Sequence, residues 1–453
     1  MKNGLIKEKD FYKTLLAIAI PIALQNIINF AVQMLDTVMV GSLGDDALSA
    51  VSLANQPFFL YIVFGFGIAS GGAVLIAQYW GKGNIDAVRR IIGISIRCMI
   101  VVSIVFTILG YTFPREILRL FNKDEAVIEI GAKYLKIVIF SYFFSGVSSC
   151  YLNTMRGTEN VKLSTLVYTF SFLVNGFFNY CFIFGKFGFP EFGAAGAAIG
   201  TLIARFCEFA IVMAYGNFIE KKVGFRIKHI FRIEQELFPD FIRHSLPVIG
   251  SEFIWSMGAL VQTAIIGNLS TTFVAANSIA NVLQQLAMVM MFGIGNAAAV
   301  IMGKTVGSGD IEKAKKMGKT FILLSIGVGV VSCGLILVLR NPMLLIYNVT
   351  EETKNLAYQI MGVMAIIMCG SAIEITSIMG ILRGAGDTKV AFAIDAGCTW
   401  GIGVIMGYLA GFVWHLPLIW VFVCLRSDTV VRITICLIRI FRGNYIKNVT
   451  REL

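Results

Sequence analysis

Charge is scarce in this sequence. Only 14% of its 453 residues are Asp, Glu, Lys or Arg, against 57% hydrophobic residues, and the mean hydropathy is +0.79. A chain this long with so few charges cannot clothe a water-facing surface, which excludes a soluble domain and makes lipid the solvent. Alternating strand patterns are missing as well, which argues against a barrel. The three histidines, His229, His244 and His415, show no HExxH spacing, and catalytic metal chemistry is disfavoured. The nine cysteines stand singly in apolar runs without a CxxC pair, so they indicate neither a zinc site nor a disulfide framework and read as small packing residues. The run 67–71 is rich in small residues but lacks the Lys-Ser/Thr of a phosphate loop, and reads as close helix packing. Asn268, Asn348 and Asn448 fit the glycosylation pattern, which recurs by chance and receives no role. No convergent nucleophile, base or metal set is present, so an enzyme is the weakest functional reading and no cofactor is expected.

What the chain does have is long apolar runs. Reading them between charged or turn-rich breaks places spans near 15–40, 48–78, 91–112, 128–155, 162–185, 192–218, 240–267, 272–304, 318–339, 356–382, 389–412 and 416–438. The expected fold is therefore an all-α polytopic membrane protein of about twelve helices. The charged start at 1–13 leads into a long first span without an A-x-A-like cleavage site, and reads as a retained helix.

The formal charge of +11 would suggest nucleic acid for a soluble protein, but here the placement of the basic residues decides. Lys and Arg crowd alternate loops: Lys2, Lys7, Lys9 and Lys13; Lys82, Arg89 and Arg90; Arg156 and Lys162; Lys221 to Arg243; Lys304 to Lys319; Arg383 and Lys389; and the tail after Arg439. The positive-inside rule puts both termini in the cytoplasm and makes the number of spans even. No nucleic-acid partner is expected; the chain reads as a monomer among membrane lipids.

Sliding the chain against itself by 226 residues aligns the halves without a gap through the loop after span two. Pro21 falls on Pro247, Gly41 on Gly267, and GKGNIDAVRR (81–90) on GSGDIEKAKK (307–316). One residue further in register, Arg156-Gly157 meets Arg383-Gly384. Six spans per repeat is an even number, so the halves are parallel repeats related by an axis along the membrane normal. The expected division is 1–218, a basic cytoplasmic linker at 219–239, and 240–453. Transporters so built bind substrate near the midplane.

A charge at bilayer depth is costly, about 2.5 to 3.5 kcal/mol on insertion scales, so each intramembrane acid needs a reason. Asp36 lies in the outward half of span one with no Lys or Arg near it in sequence, and neutral Gln262 is its repeat counterpart. A desolvated carboxylate without a basic partner is neutralised by a proton or binds a cation. Asn175 and Asn179, four apart, share a helix face. Glu252 and Glu374 are acids of the second half, either facing a cavity or satisfying each other or helix carbonyls. Glu208, three residues after Arg205, reads as a local ion pair. Met290, Met291 and Phe292 in span eight are candidates for the wall of an adaptable cavity.

Several stretches together resemble the multidrug and toxic compound extrusion (MATE) family, over nearly the whole chain. They are PIALQNIINFAVQMLDTVMVGSLG with Asp36, RGTEN after span four, LRGAGDTK after span ten, NGFFNYCFIFGKFGFPEFGAAGAAIGT across spans five and six, and DAGCTW with Asp395 and Trp400. The pattern looks closest to the bacterial NorM-like branch. The resemblance implies two six-helix lobes in a V that export cationic or amphipathic compounds in exchange for Na+ or H+ by alternating access. It also implies that Asp36 is the coupling carboxylate, helped by Asn175, Asn179 and Thr201, with transient Na+ possible there. Asn179 stands where many relatives carry Asp, which removes a charge. A substrate cavity with Glu252, Gln262, Glu374, Asp395, Met290 and Met291 is expected in the second lobe. The alternative is a lipid-linked intermediate flippase of related architecture. It calls for several Arg or Lys inside the cavity, and the sequence offers only Arg97, Arg205 and Arg426, near span ends or acids.

The orientation is checked by cysteine accessibility in intact cells. A cysteine introduced near Lys221 is expected to escape an impermeant external reagent, and one near Asp46 to be labelled.

Overall fold

The computed structural model describes residues 5–232, 235–347 and 349–452; Lys2, Asn348 and two linker positions, 233 and 234, lie outside the described residues. Helices follow one another with short joints: α1 (Lys9–Gly41), α2 (Asp45–Lys82), α3 (Ile85–Thr112), α4 (Glu125–Val138 and Phe140–Arg156, bent by 50°), α5 (Lys162–Phe184), α6 (Ala194–Ile219), α7 (Phe238–Leu269), α8 (Thr271–Gly307), α9 (Ile311–Ile346), α10 (Glu351–Leu382) and α11 (Thr388–Val413). The last region, α12, is two pieces, Leu418–Leu425 and Asp428–Arg442. Among the described residues there is no strand, and ten helices, or eleven with bent α4, are long and apolar enough to span a bilayer.

The stretch expected as a twelfth span is helical but interrupted at Arg426 and Ser427, and its two pieces are not among those spanning helices. Asp428, Arg432, Cys436 and Arg439 recur at helical spacing along its second piece, and the first three are buried, while Val430, Ile438 and Phe441 are exposed on its other side. That polarity suits a helix with lipid on its outer side.

The loop motif shared by the two halves now has a physical reading. Asn84 and Asp310 are repeat-related helix N-caps, each accepting at 3.0 Å from the backbone N–H three residues on, at Ala87 and Lys313. Gly83 and Gly309 just before them hold φ of 79° and 86°, the left-handed region open to glycine. The preceding pair, Gly81 and Gly307, is needed for close approach. A Cβ on Gly81 would fall on the carbonyl of Lys304, and one on Gly307 on the carbonyl of Gln78.

The chain packs as two units. The carboxy-terminal unit comprises Met1–Ala23, Ala77–Gly83 and Gly250–Leu453; the amino-terminal unit comprises Leu24–Ile76 and Asn84–Ile249. In the amino-terminal unit, Tyr61 Oη donates to the Tyr142 carbonyl at 2.5 Å and lies 2.8 Å from Ser103 Oγ. Phe58 and Phe106 pack on its ring. The carboxy-terminal unit has a core of Phe273, Met291, Ile336, Met361, Met364 and Met368 with their neighbours. Its tail is tied down as well. Asp387, fully buried, accepts from Arg439 and Lys447, and the Val449 N–H donates to Gln78 Oε1 at 2.9 Å.

Since lipid gives helices little hydrophobic drive to associate, such close backbone approaches carry much of the packing. Gly307→Ala is expected to destabilise the protein by about 2 kcal/mol, the range of overpacking, read as a lower thermal midpoint of the purified protein in detergent.

Candidate functional site

Two polar clusters sit among the apolar helices, one in each unit. In the amino-terminal unit, α5 presents Asn175 and Asn179 one turn apart, facing Asp36 of α1 and Thr201 of α6. Asn179 Nδ2 donates to Asp36 Oδ1 at 2.5 Å and to Asn175 Oδ1 at 3.3 Å; Asn175 Nδ2 donates to Thr201 Oγ1 at 3.3 Å. Both asparagines are buried, and Asp36 is half-buried. The four residues singled out in the sequence therefore form one connected cluster. Gly200 makes room for it, because a Cβ there would fall on Asn179 Oδ1. That oxygen is buried and accepts no hydrogen bond from any described residue.

Arg205, one turn beyond Thr201, is close enough for its charge to act on Asp36, a neighbour that sequence distance hides. Its Nη1, however, donates to Glu208 Oε2 at 2.6 Å, and Ser171 Oγ donates to the same oxygen at 3.2 Å. The local ion pair expected from their spacing is there. Asp36 itself has no salt bridge among the described residues, and its hydrogen-bond partner is a neutral amide.

In the carboxy-terminal unit, a cavity of about 460 Å³ is lined from α7, α8, α10, α11 and α12. Glu252, Gln262, Glu374 and Asp395, all expected here, line it. Phe292, also a candidate, lines it too, but Met290 and Met291 do not: Met291 is buried in the apolar core, and Met288 faces the cavity instead. The reason is helical phase. Positions 288 and 292 are one turn apart on one face, whereas 290 and 291 are turned away from it.

The acids are not free, and they do not satisfy one another or helix carbonyls. Arg383 Nη1 donates to Glu252 Oε1 at 2.6 Å and its Nη2 to Asp395 Oδ2 at 3.3 Å. Arg432 donates to Glu374, to Asp428 Oδ2 at 2.7 Å and to Thr399 Oγ1 at 2.7 Å. Arg426 lines the same cavity. This corrects the sequence reading on one point, since a basic lining is present. Arg383 was assigned to a cytoplasmic loop, yet it is buried; Arg432 and Asp428 lay inside an expected span and went unnoticed. A signal for Arg432 existed, because it stands 227 residues after Arg205, the offset that relates Arg156 to Arg383. The repeat also diversifies its arginines: Arg156 Nη2 donates to neutral Gln25 at 2.6 Å, where Arg383 meets two carboxylates.

With this geometry in place, comparison with known proteins is informative. The sequence profile of the MatE family matches residues 21–181 and 247–409. The probable multidrug resistance protein NorM of Thermotoga maritima is 27% identical over 459 residues, spanning 100% of this chain and 97% of that one. The multidrug resistance protein MdtK of Photorhabdus laumondii is 26% identical, over 88% and 87% of the two chains. Among solved structures, an outward-facing multidrug resistance MATE family transporter of the MOP superfamily superimposes with a TM-score of 0.87 at 17% identity, covering 97% of both chains. A MOP superfamily transporter from Pyrococcus furiosus, described as having a binding pocket of reverse polarity that suggests a different function, gives 0.86 at 17% identity over 95% and 96%. At such identity these structures establish the fold.

Removing one member of a buried ion network strands the others. Arg432→Ala is expected to lose about 3 kcal/mol of stability, measured as a lower thermal midpoint, and adding Glu374→Gln to that variant is expected to restore part of the loss.

Proposed function

The chain belongs to the MatE family, and from that premise we propose that it is a secondary active exporter of cationic or amphipathic drug-like compounds, driven by exchange for Na+ or H+ through alternating access. The observation that carries the coupling part is the Asp36 cluster. A half-buried carboxylate, hydrogen-bonded by a neutral amide and flanked by the oxygens of Asn175, Asn179 and Thr201, offers a proton or a hard cation a site that no salt bridge already fills. An exchanger needs a group whose affinity for the driving ion differs between two conformations, and linkage then makes ion and substrate compete for the same equilibrium. The cavity of the carboxy-terminal unit, with Trp255 and Phe292 beside Met288 and Met379, has the volume and mixed walls of a drug-sized site. The relatives' names as multidrug resistance proteins support the substrate class. In this reading the protein works as a monomer in the bacterial inner membrane, with both termini in the cytoplasm.

The three guanidiniums in the cavity favour one second reading, the lipid-linked intermediate flippase, whose phosphates need basic partners. Arg383 and Arg432 weigh against it, since their donors are already committed to carboxylates.

Asp36→Asn keeps size and hydrogen bonding but removes the ionisable charge. In proteoliposomes under an imposed Na+ or H+ gradient, wild type is expected to move a cationic dye and the variant to lose at least about tenfold in rate, of the order of one lost charged interaction. Wild-type rates in the variant would move the coupling site elsewhere, and no dye movement by the wild type would overturn the export reading.

A further inference from the structure

The arginines of the cavity are not equivalent. Arg383 and Arg432 each hold at least two carboxylates. Arg426 lies at the break between the two pieces of α12 and lines the same cavity, but its guanidinium makes no hydrogen bond or ion pair with any described residue. Its neighbour is the Phe422 ring, 6.0 Å from the guanidinium carbon to the centroid. Asp428 and Glu374 attract it through space, yet both are bonded to Arg432. Arg426 is half-buried, and a guanidinium has five donors and no acceptor, so its donors are open to a ligand's acceptor atoms from the cavity.

On the acid side, the most accessible carboxylate is Glu252, whose side chain is 21% exposed against 15% for Glu374 and 8% for Asp428. Arg383 takes its Oε1, and its Oε2 accepts from no described residue. Trp255, three residues on and so on the same helix face, also lines the cavity.

Resting on the export reading above, we propose that this cavity selects zwitterionic amphiphiles: the Arg426 guanidinium takes a ligand carboxylate and Glu252 takes the ligand's ammonium, with the aromatic body between them. The charge inventory points the same way. Glu252, Glu374, Asp395 and Asp428 outnumber Arg383, Arg426 and Arg432, so a ligand bearing only negative charge meets repulsion. A ligand bearing only positive charge leaves Arg426 unmatched. A planar carboxylate fits a guanidinium through two parallel hydrogen bonds, whereas its ester cannot present two equivalent anionic oxygens.

The test uses a fluoroquinolone, which carries both an amine and a carboxylate, and its methyl ester, which keeps only the amine. Binding to the purified full chain is followed by the ligands' own fluorescence anisotropy. Wild type is expected to bind the acid at least about tenfold more tightly than the ester, the scale of one charge-assisted hydrogen bond. Arg426→Gln should abolish that preference by weakening the acid alone, and Arg426→Lys should keep part of it. Unchanged ester binding shows that each variant is folded. Equal affinities in wild type, or equal losses for both ligands in Arg426→Gln, would overturn the proposal. Gradient-driven transport in proteoliposomes separates it from the reading it rests on. A binding preference for the acid without transport of either compound would overturn export and leave the selectivity standing; ester transport with no preference for the acid would do the reverse.

Discussion

Arg432 is the tie on which the carboxy-terminal unit depends. It is buried, it belongs to the broken helix α12, and it reaches Glu374 on α10, Thr399 on α11 and Asp428 one turn before it. Asp395 then links it to Arg383, which holds Glu252 on α7. A guanidinium at this depth has no bulk water to fall back on, so its carboxylates fix where four helices stand. Methionines close around this network and supply adaptable apolar walls. The rigid part of the cavity is thus ionic and the compliant part is apolar, a division suited to ligands of varied shape.

The amino-terminal unit solves the same problem differently. Arg205 is spent locally on Glu208 and Arg156 on the neutral Gln25 of α1, and Asp36 is left with amides and a hydroxyl for company. Thr201 stands 227 residues before Asp428, and Asp36 stands 226 before Gln262. Acid and neutral residue have traded places between the halves. One unit keeps a carboxylate outside any salt bridge, and the other locks its carboxylates into bridges.

Much of this was legible in the sequence, and the rest was hidden for identifiable reasons. The helices follow from apolar runs, and the matched glycines and caps of the two repeated loops mark features that the backbone needs, so they survive in both halves. Asn175 and Asn179 were readable because helical spacing puts them together. Arg383 was not, because an arginine next to Gly-Ala-Gly-Asp-Thr-Lys reads as a loop residue even when the helix carries it inward. Arg432 and Asp428 were lost inside an apolar window, where averaging hides an inward-facing polar side. Choosing Met290 and Met291 beside Phe292, where Met288 is its partner on the cavity face, was an error of phase, since sequence gives the period of a helix but not the direction in which its stripe points.

The end of α10, just before Arg383, is wound more widely than its counterpart in the other half. Residues Thr376–Leu382 are wound as a π-helix, whereas the matching stretch of α4 that ends at Arg156 is an ordinary α-helix. A π turn takes in more chain than an α turn over the same climb. The offset between the halves grows from 226 to 227 somewhere between the loop after α2 and Arg156, and this turn lies inside the corresponding stretch of the second half. The second half carries one residue more over this stretch, and the helix accommodates it by widening instead of breaking. Arg156 and Arg383, just beyond these two stretches, are each 131 residues from their partners Gln25 and Glu252 on the first helix of their half, so the wide turn takes up the extra residue while the arginine keeps its place against that helix.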